Sequence, residues 1–509
     1  MNDGTIALVL MLCYLVLALF VGLLAARGRA RLSVTDFAVA DRGLGVVVMW
    51  FLMGGTVFSA FAFLGGPGWA FSMGAASLYI LAYVSLGMLP WYVIGPRLAR
   101  IGRERSYLTM GDFVRDHYRG AGGDRLARVL VVVMGVVALG AFVQYLTLQL
   151  KGVAYIFNVM TSGMVPFWLG ALLAYGIVIA YVATGGVRAA AWSDVLQGAL
   201  LLLVAWVVGI WLAFRMHDGP TEMFRAIDDA KEGFLTIGHE GSMMGPVEFS
   251  TITLVSVIGF LMWPHLFMKS FTTTERRIKQ VVVTYPLFAL FIIPVLFIGF
   301  AGVTTVAPAD LGASDEILPY LVTEVLPLSG LAFGLIGAGA LSAAMSSADA
   351  ITHGASVTLA RDVVRPLRPT ISEPAQVWLM RAAVVLVGAF AYWLAVAGAE
   401  SLVQLLVGAY GAVVQFAPAV YGAMFWRRAT AAGALSGLVV GVAVNVWFQF
   451  EALGAASKPF GINEGILGLI ANVAVFVVVS LLTAGSLARP AEPAERHEPS
   501  EQNVPSHGE

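Results

Sequence analysis

The chain has 509 residues, of which 59% are hydrophobic and 12% charged, with a formal net charge of -1; a typical soluble domain carries roughly 25% charged residues. That composition excludes a soluble globular domain and argues against a nucleic-acid partner. It predicts an all-α polytopic membrane protein. The lone Cys13 excludes an intramolecular disulfide.

The apolar runs continue almost end to end, so one transmembrane domain over 1–488 is expected instead of several linked units. The opening stretch "MNDGTIALVLMLCYLVLALFVGLLAARGRAR" lacks a basic leader and a small-residue cleavage site, and reads as a retained helix over 4–26. Runs of about 18 or more apolar residues predict twelve further spans. They lie near 43–64, 74–96, 129–157, 163–183, 189–214, 248–268, 281–303, 329–360, 378–398, 401–425, 430–450 and 464–487. With the amino terminus outside, all but five of the 30 basic residues fall on the cytoplasmic side, Lys269 and the arginines of 97–128 among them. The five are Lys151, Arg215, Arg225, Lys231 and Lys458. An inner (plasma) membrane location with a cytoplasmic carboxyl terminus follows. The polar segment 215–247 reads as an outer loop with a short amphipathic helix. The Pro- and Glu-rich tail 489–509 reads as disordered.

Two predicted spans are interrupted. "FLMGGTVFSAFAFLGGPGWAF", residues 51–71, carries Gly54, Gly55, Gly65, Gly66, Pro67 and Gly68, and "FLMWPHLFMKSF", residues 260–271, carries Pro264. Backbone groups freed inside hydrocarbon are tolerated only where they line a protein-enclosed cavity. Each break opens a group of five spans, about 43–214 and 248–425, and an odd number makes the second group enter from the opposite side. Interrupted segments at corresponding positions of two halves point to an inverted-repeat secondary transporter with its site at the midplane. A third stretch, "GALSAAMSSADA" at 339–350, puts Ala343, Ser346 and Ser347 within one turn. Small residues at that density serve close helix packing. Adjacent hydroxyls facing unwound backbone also suit a hard cation.

"YGIVIAYVATGGVRAAAWSDVLQG", residues 175–198, together with "GALSAAMSSADA", resembles the paired signatures of the sodium/solute symporter family across nearly the whole chain. The resemblance implies a LeuT-type fold of thirteen transmembrane helices, an inverted five-helix repeat with one extra helix before and two after. It implies Na+ as the coupling ion, held by main-chain carbonyls of Gly55 and Phe58 in the first break, the Ala343 carbonyl, and the Ser346 and Ser347 hydroxyls. Asp194 in "WSDVLQG" matches an acidic residue kept near the sodium release path, and an intramembrane acid is functional by default. Proline symporters carry an aspartate where this chain has Val57, which speaks against an amine held by that carboxylate. "SAFAFLGGPGWAF" and "MWPHLFMKSF" are similar to the monocarboxylate and pantothenate branches, whose substrates are small organic anions.

A carboxylate needs donors in a low-dielectric site. Candidates are Thr56 and Ser59 at the first break, Trp263 and His265 at the second, and Tyr145 and Gln149 on the third core helix. Lys151, nearer the outer end, reads as a snorkelling side chain, with an anion-attracting role as the alternative. No HExxH pair and no nucleophile–base set appears, so an enzyme is not expected. Proton coupling, amino-acid or pantothenate transport, and a transporter-like nutrient sensor are the competing readings.

Overall fold

The computed structural model describes residues 2–27, 33–120, 123–239, 244–326, 328–398, 402–449 and 458–484. The tail expected to be disordered lies outside them. Every element among the described residues is helical. Apolar sequence in a bilayer leaves the backbone no other way to pair its own donors and acceptors without a closed barrel.

Nine helices among the described residues are long and apolar enough to cross a membrane, and the bent pair Val34–Arg42 and Val46–Val57, meeting at 113°, raises this to ten. The difference from the thirteen expected spans comes from breaks and mergers. Spans 163–183 and 189–214 run as one helix, Phe167–His217, kinked at Gly186 with φ 56°. Only glycine fits that kink: a Cβ there would stand 2.4 Å from the Phe37 carbonyl oxygen, on top of the unfavourable φ. Spans 43–64, 248–268 and 401–425 are assembled from shorter pieces, so none forms one long rod.

Both predicted interruptions are present. The first helix, Val46–Val57, ends at Phe58 with φ -91° and ψ 88°. The chain resumes through a wide π-type turn, Phe61–Gly65, into Gly66–Met73. The second runs as Pro246–Gly259, a tight turn Phe260–Met262, an extended Trp263 (φ -61°, ψ 118°), and Pro264–Lys269. Proline at the first position of that last piece has no amide to lose, which lets a helix restart there.

Between the breaks stands Gly330–Thr358, buried along most of its 29 residues. It packs on Asp3–Ala26, Asp124–Met160 and Phe167–His217 as well as on both broken helices. Its small side chains make that crowding feasible. At Gly354 it comes close to the second broken helix, since a Cβ would stand 2.5 Å from that of His265. The segment 215–247 holds the short helix Pro220–Ala230, whose Met223 and Ile227, four residues apart, are its buried residues.

Candidate functional site

Unwinding at Phe58 turns the carbonyls of the preceding turn towards the Gly330–Thr358 helix. The Ser346 hydroxyl donates to the Gly55 carbonyl at 2.8 Å and lies 3.1 Å from the Ala343 carbonyl. The Ser347 hydroxyl donates to the Thr56 carbonyl at 2.9 Å, with Gly55 O at 3.4 Å. Four of the five residues expected to hold sodium, Gly55, Ala343, Ser346 and Ser347, therefore share one hydrogen-bonded cluster. Phe58 marks the end of the helix, and its ring stacks on Phe288 at 5.1 Å with an interplanar angle of 2°. The oxygen that joins Gly55 at the serines is the Thr56 carbonyl, which sequence reasoning had not included.

Asp194 stands against the same turn. A Cβ placed on Gly55 would lie 3.5 Å from Asp194 Oδ1 and 3.4 Å from the Ser346 Cβ. Asp194 is fully buried, and neither carboxylate oxygen has a hydrogen-bond partner among the described residues. A buried carboxylate left bare is costly unless a cation or proton joins it. Two carbonyls facing two hydroxyls beside a bare carboxylate form an all-oxygen donor set, which suits a small hard cation. Thioether and imidazole donors are not part of it.

The substrate candidates divide into two groups. Thr56 and Gln149 are committed to the broken backbone: the Thr56 hydroxyl donates to Leu52 O at 2.7 Å, and Gln149 Oε1 accepts the freed Ala60 amide at 2.9 Å. Ser59 likewise accepts the Phe61 amide at 3.2 Å. Around the second break the side chains pack as an aromatic cluster. The Trp263 ring lies 5.1 Å from Tyr145, 5.5 Å from His265 and 5.5 Å from Tyr410, edge-on to the last. His265 is buried, its Nδ1 without a hydrogen-bond partner among the described residues, and the Tyr145 phenol faces the Ser59 and Ser347 hydroxyls. The aromatic cluster and the oxygen cluster thus share a border at Ser59, Tyr145 and Ser347.

Lys269 requires a correction. Counted above among the basic residues of a cytoplasmic connection, it is buried, 3% exposed, at the end of Pro264–Lys269. Its Nζ donates to Leu52 O at 2.7 Å and to the Thr56 hydroxyl. Asp349 was also missed: its Oδ2 accepts from the Tyr181 phenol at 2.8 Å and from the Ser193 hydroxyl at 3.1 Å. The one available signal for both was a charged residue within an apolar stretch that also carries a break or the serine pair.

A helical membrane bundle with two helices broken at its centre, and an oxygen cluster where one of them meets an intact helix, defines an ion-coupled secondary transporter. The chain belongs to the sodium:solute symporter family, whose family model matches residues 37–441, and Na+ is the coupling ion. An uncharacterized symporter of Bacillus subtilis (strain 168), YhjB, is 29% identical over 503 residues, covering 96% of this chain and 99% of that protein. A monocarboxylate transport permease protein of Rhizobium johnstonii is 25% identical over 501 residues, covering 94% and 97%. The solved structure of a Na+-coupled sialic acid symporter, in a substrate-bound outward-open state, matches with a TM-score of 0.76 at 18% identity, covering 94% of this chain and 98% of that one. The fold is accordingly LeuT-like.

Proposed function

We propose that the protein takes up a short monocarboxylate, such as lactate or pyruvate, together with one sodium ion. The observation that carries this reading is the junction of the Gly55 and Thr56 carbonyls with Ser346 and Ser347, bordered by Asp194 and by Tyr145 of the Trp263–His265 aromatic cluster. Sodium takes the oxygen cluster. The anion takes donors from Tyr145, His265 and the backbone freed at Trp263, with Ser59 at the border. Val57, where an amine substrate would need a carboxylate, and the similarity to the Rhizobium permease support an acid over an amino acid. Thirteen spans in an inverted repeat, an outer amino terminus and a cytoplasmic carboxyl terminus complete the proposal, supported by the positions of the two breaks and the placement of the arginines.

One sodium with one monoanion moves no net charge, so the membrane potential, about 2.3 kcal/mol per charge per 100 mV, contributes nothing to this cycle. Uptake of labelled short organic acids into proteoliposomes, with and without an inward sodium gradient, tests the reading. Sodium-dependent accumulation of a monocarboxylate without a sizeable substrate-dependent current on a solid-supported membrane is expected. Accumulation driven only by a proton gradient favours the proton-coupled alternative, and a selective response to pantothenate or an amino acid would replace the substrate assignment.

A further inference from the structure

Away from the broken helices, a cavity of about 340 Å³ lies between the end of Leu89–Glu104, the short helix Met110–Tyr118, and the end of Ala417–Phe425 with the residues after it. A volume of that order holds a small ligand. The Tyr118 phenol ties two of these elements together, donating to the Ala419 carbonyl at 2.8 Å. Much of the wall is aromatic, with Phe113, Phe425 and Trp426. His117 also lines it, and its charged part is mostly positive: Arg97, Arg105 and Arg427 stand against one carboxylate, Asp116, among the described residues.

That carboxylate is already engaged. Asp116 accepts from Arg105 and from the Tyr107 phenol, and it pairs with Arg119 at 3.4 Å. Arg97 and Arg427 make no ion pair among the described residues, and Arg97 lies instead over the Phe425 ring, 6.0 Å from its centre. The helix that carries Arg97 also shows where the cavity stands in the bilayer. Its exposed residues are Leu89, Tyr92 and Val93, then Arg97 and Arg100. An exposed face that turns from apolar to basic within one turn marks the passage from hydrocarbon to headgroups. The exposed Phe425 ring stands at that passage, beside Arg97.

We propose that this cavity binds the phosphate headgroup of an anionic membrane lipid, with the phosphate between Arg97 and Arg427 and the first part of its chains against Phe425 and the Tyr92–Val93 face. Guanidinium groups donate paired hydrogen bonds to phosphate oxygens, and these two have no carboxylate to displace. Basic pockets between transmembrane helices are a recurrent form of headgroup site. The apolar face leading up to Arg97 favours a lipid over a soluble phosphate, since it gives the chains a surface to follow. A lipid seated there bridges residues 97–117 to residues 423–427, far apart in the chain. The site stands apart from the ion cluster and does not rest on the sodium or substrate assignments.

Native mass spectrometry of the purified full chain in detergent, titrated with phosphatidylglycerol or with phosphatidylcholine of the same acyl chains, tests it. The first phosphatidylglycerol is expected to bind wild type about twentyfold more tightly than phosphatidylcholine, at about fivefold for each arginine. Arg97→Gln combined with Arg427→Gln should abolish that preference. Arg100→Gln removes an exposed arginine of the same helix that does not line the cavity, and should leave the preference unchanged. Equal affinity of wild type for the two lipids overturns the proposal. So does a loss in Arg100→Gln as large as that in Arg97→Gln, which would reduce the preference to diffuse surface charge. The chain-free headgroup glycerophosphoglycerol separates a lipid from a soluble phosphate. Displacement of phosphatidylglycerol only by a large excess supports the lipid site, whereas displacement at equal concentration assigns the cavity to a soluble phosphate and overturns it. Where the double variant does not yield monodisperse protein, the single variants decide: a loss of about fivefold in each supports the proposal, and no loss in either overturns it.

Discussion

The two broken helices differ in what they offer. At the first, the backbone itself is the chemistry: Gly55 and Thr56 present carbonyls to Ser346 and Ser347, and the amide freed at Ala60 is taken by Gln149. At the second, Trp263, His265 and Lys269 project into the interior, and the break serves to aim side chains. The same backbone device presents oxygens in one half and aims aromatic and charged side chains in the other. A sodium ion can be bound by carbonyl oxygens in any sequence that unwinds, whereas an organic anion needs donors and walls of particular shape.

That contrast can be broken most directly at the serines. Ser346→Ala and Ser347→Ala each remove one oxygen while keeping a helix-compatible residue, and apparent sodium affinity for uptake is expected to fall about 10–100-fold, a range borrowed from the loss of groups around metal sites. Uptake against sodium concentration, normalised to protein in the membrane, decides this; unchanged sodium activation in both variants would sink the site assignment.

A pair of glycine substitutions sharpens the contrast sterically. Gly354→Ala must push against the His265 Cβ at 2.5 Å, whereas a Cβ on Gly55 meets Ser346 and Asp194 only at 3.4–3.5 Å. The first is expected to cost about 1–3 kcal/mol as overpacking and to weaken substrate binding; the second is expected to leave the fold intact. Thermal unfolding in detergent, with and without substrate, separates them, and equal shifts would contradict the geometry.

Gln149→Leu strands the Ala60 amide, a buried donor, at a cost of about 1–3 kcal/mol. Gln149→Glu retains an acceptor and is expected to recover most of the loss. If the leucine variant melts like wild type, Gln149 is not the cap of the first break.

The smallest expected effect belongs to the second break. His265→Ala removes one side and one donor of the proposed substrate site, for about 1 kcal/mol or roughly a fivefold loss of substrate affinity, with sodium affinity little changed. A cysteine placed at position 263 or 265 should be shielded by substrate from a thiol reagent. Absence of shielding at both positions would move the pocket elsewhere.

Much of this plan was legible in the order of residues. Glycine and proline clusters inside apolar runs located both breaks, because these residues disturb a helix through their own backbone, and the serine pair stood out as adjacent hydroxyls in a small-residue helix. Lys269 misled, because a lysine following an apolar run reads as a cytoplasmic flank, and only its Leu52 and Thr56 partners reveal it as buried. Gln149 read as a substrate donor for a similar reason: nothing near it in sequence announces the Ala60 amide it accepts. A length test finds nine helices among the described residues against thirteen expected spans, since a broken span is short in each part and Phe167–His217 runs through two. What the residues dictate alone is local: where a helix is stable in lipid and where it must open. The pairing of Ser347 with a carbonyl 291 positions away, and of Lys269 with one 217 positions away, comes from how the helices pack, because hydropathy patterns specify which faces are buried but not which polar atoms meet once they are.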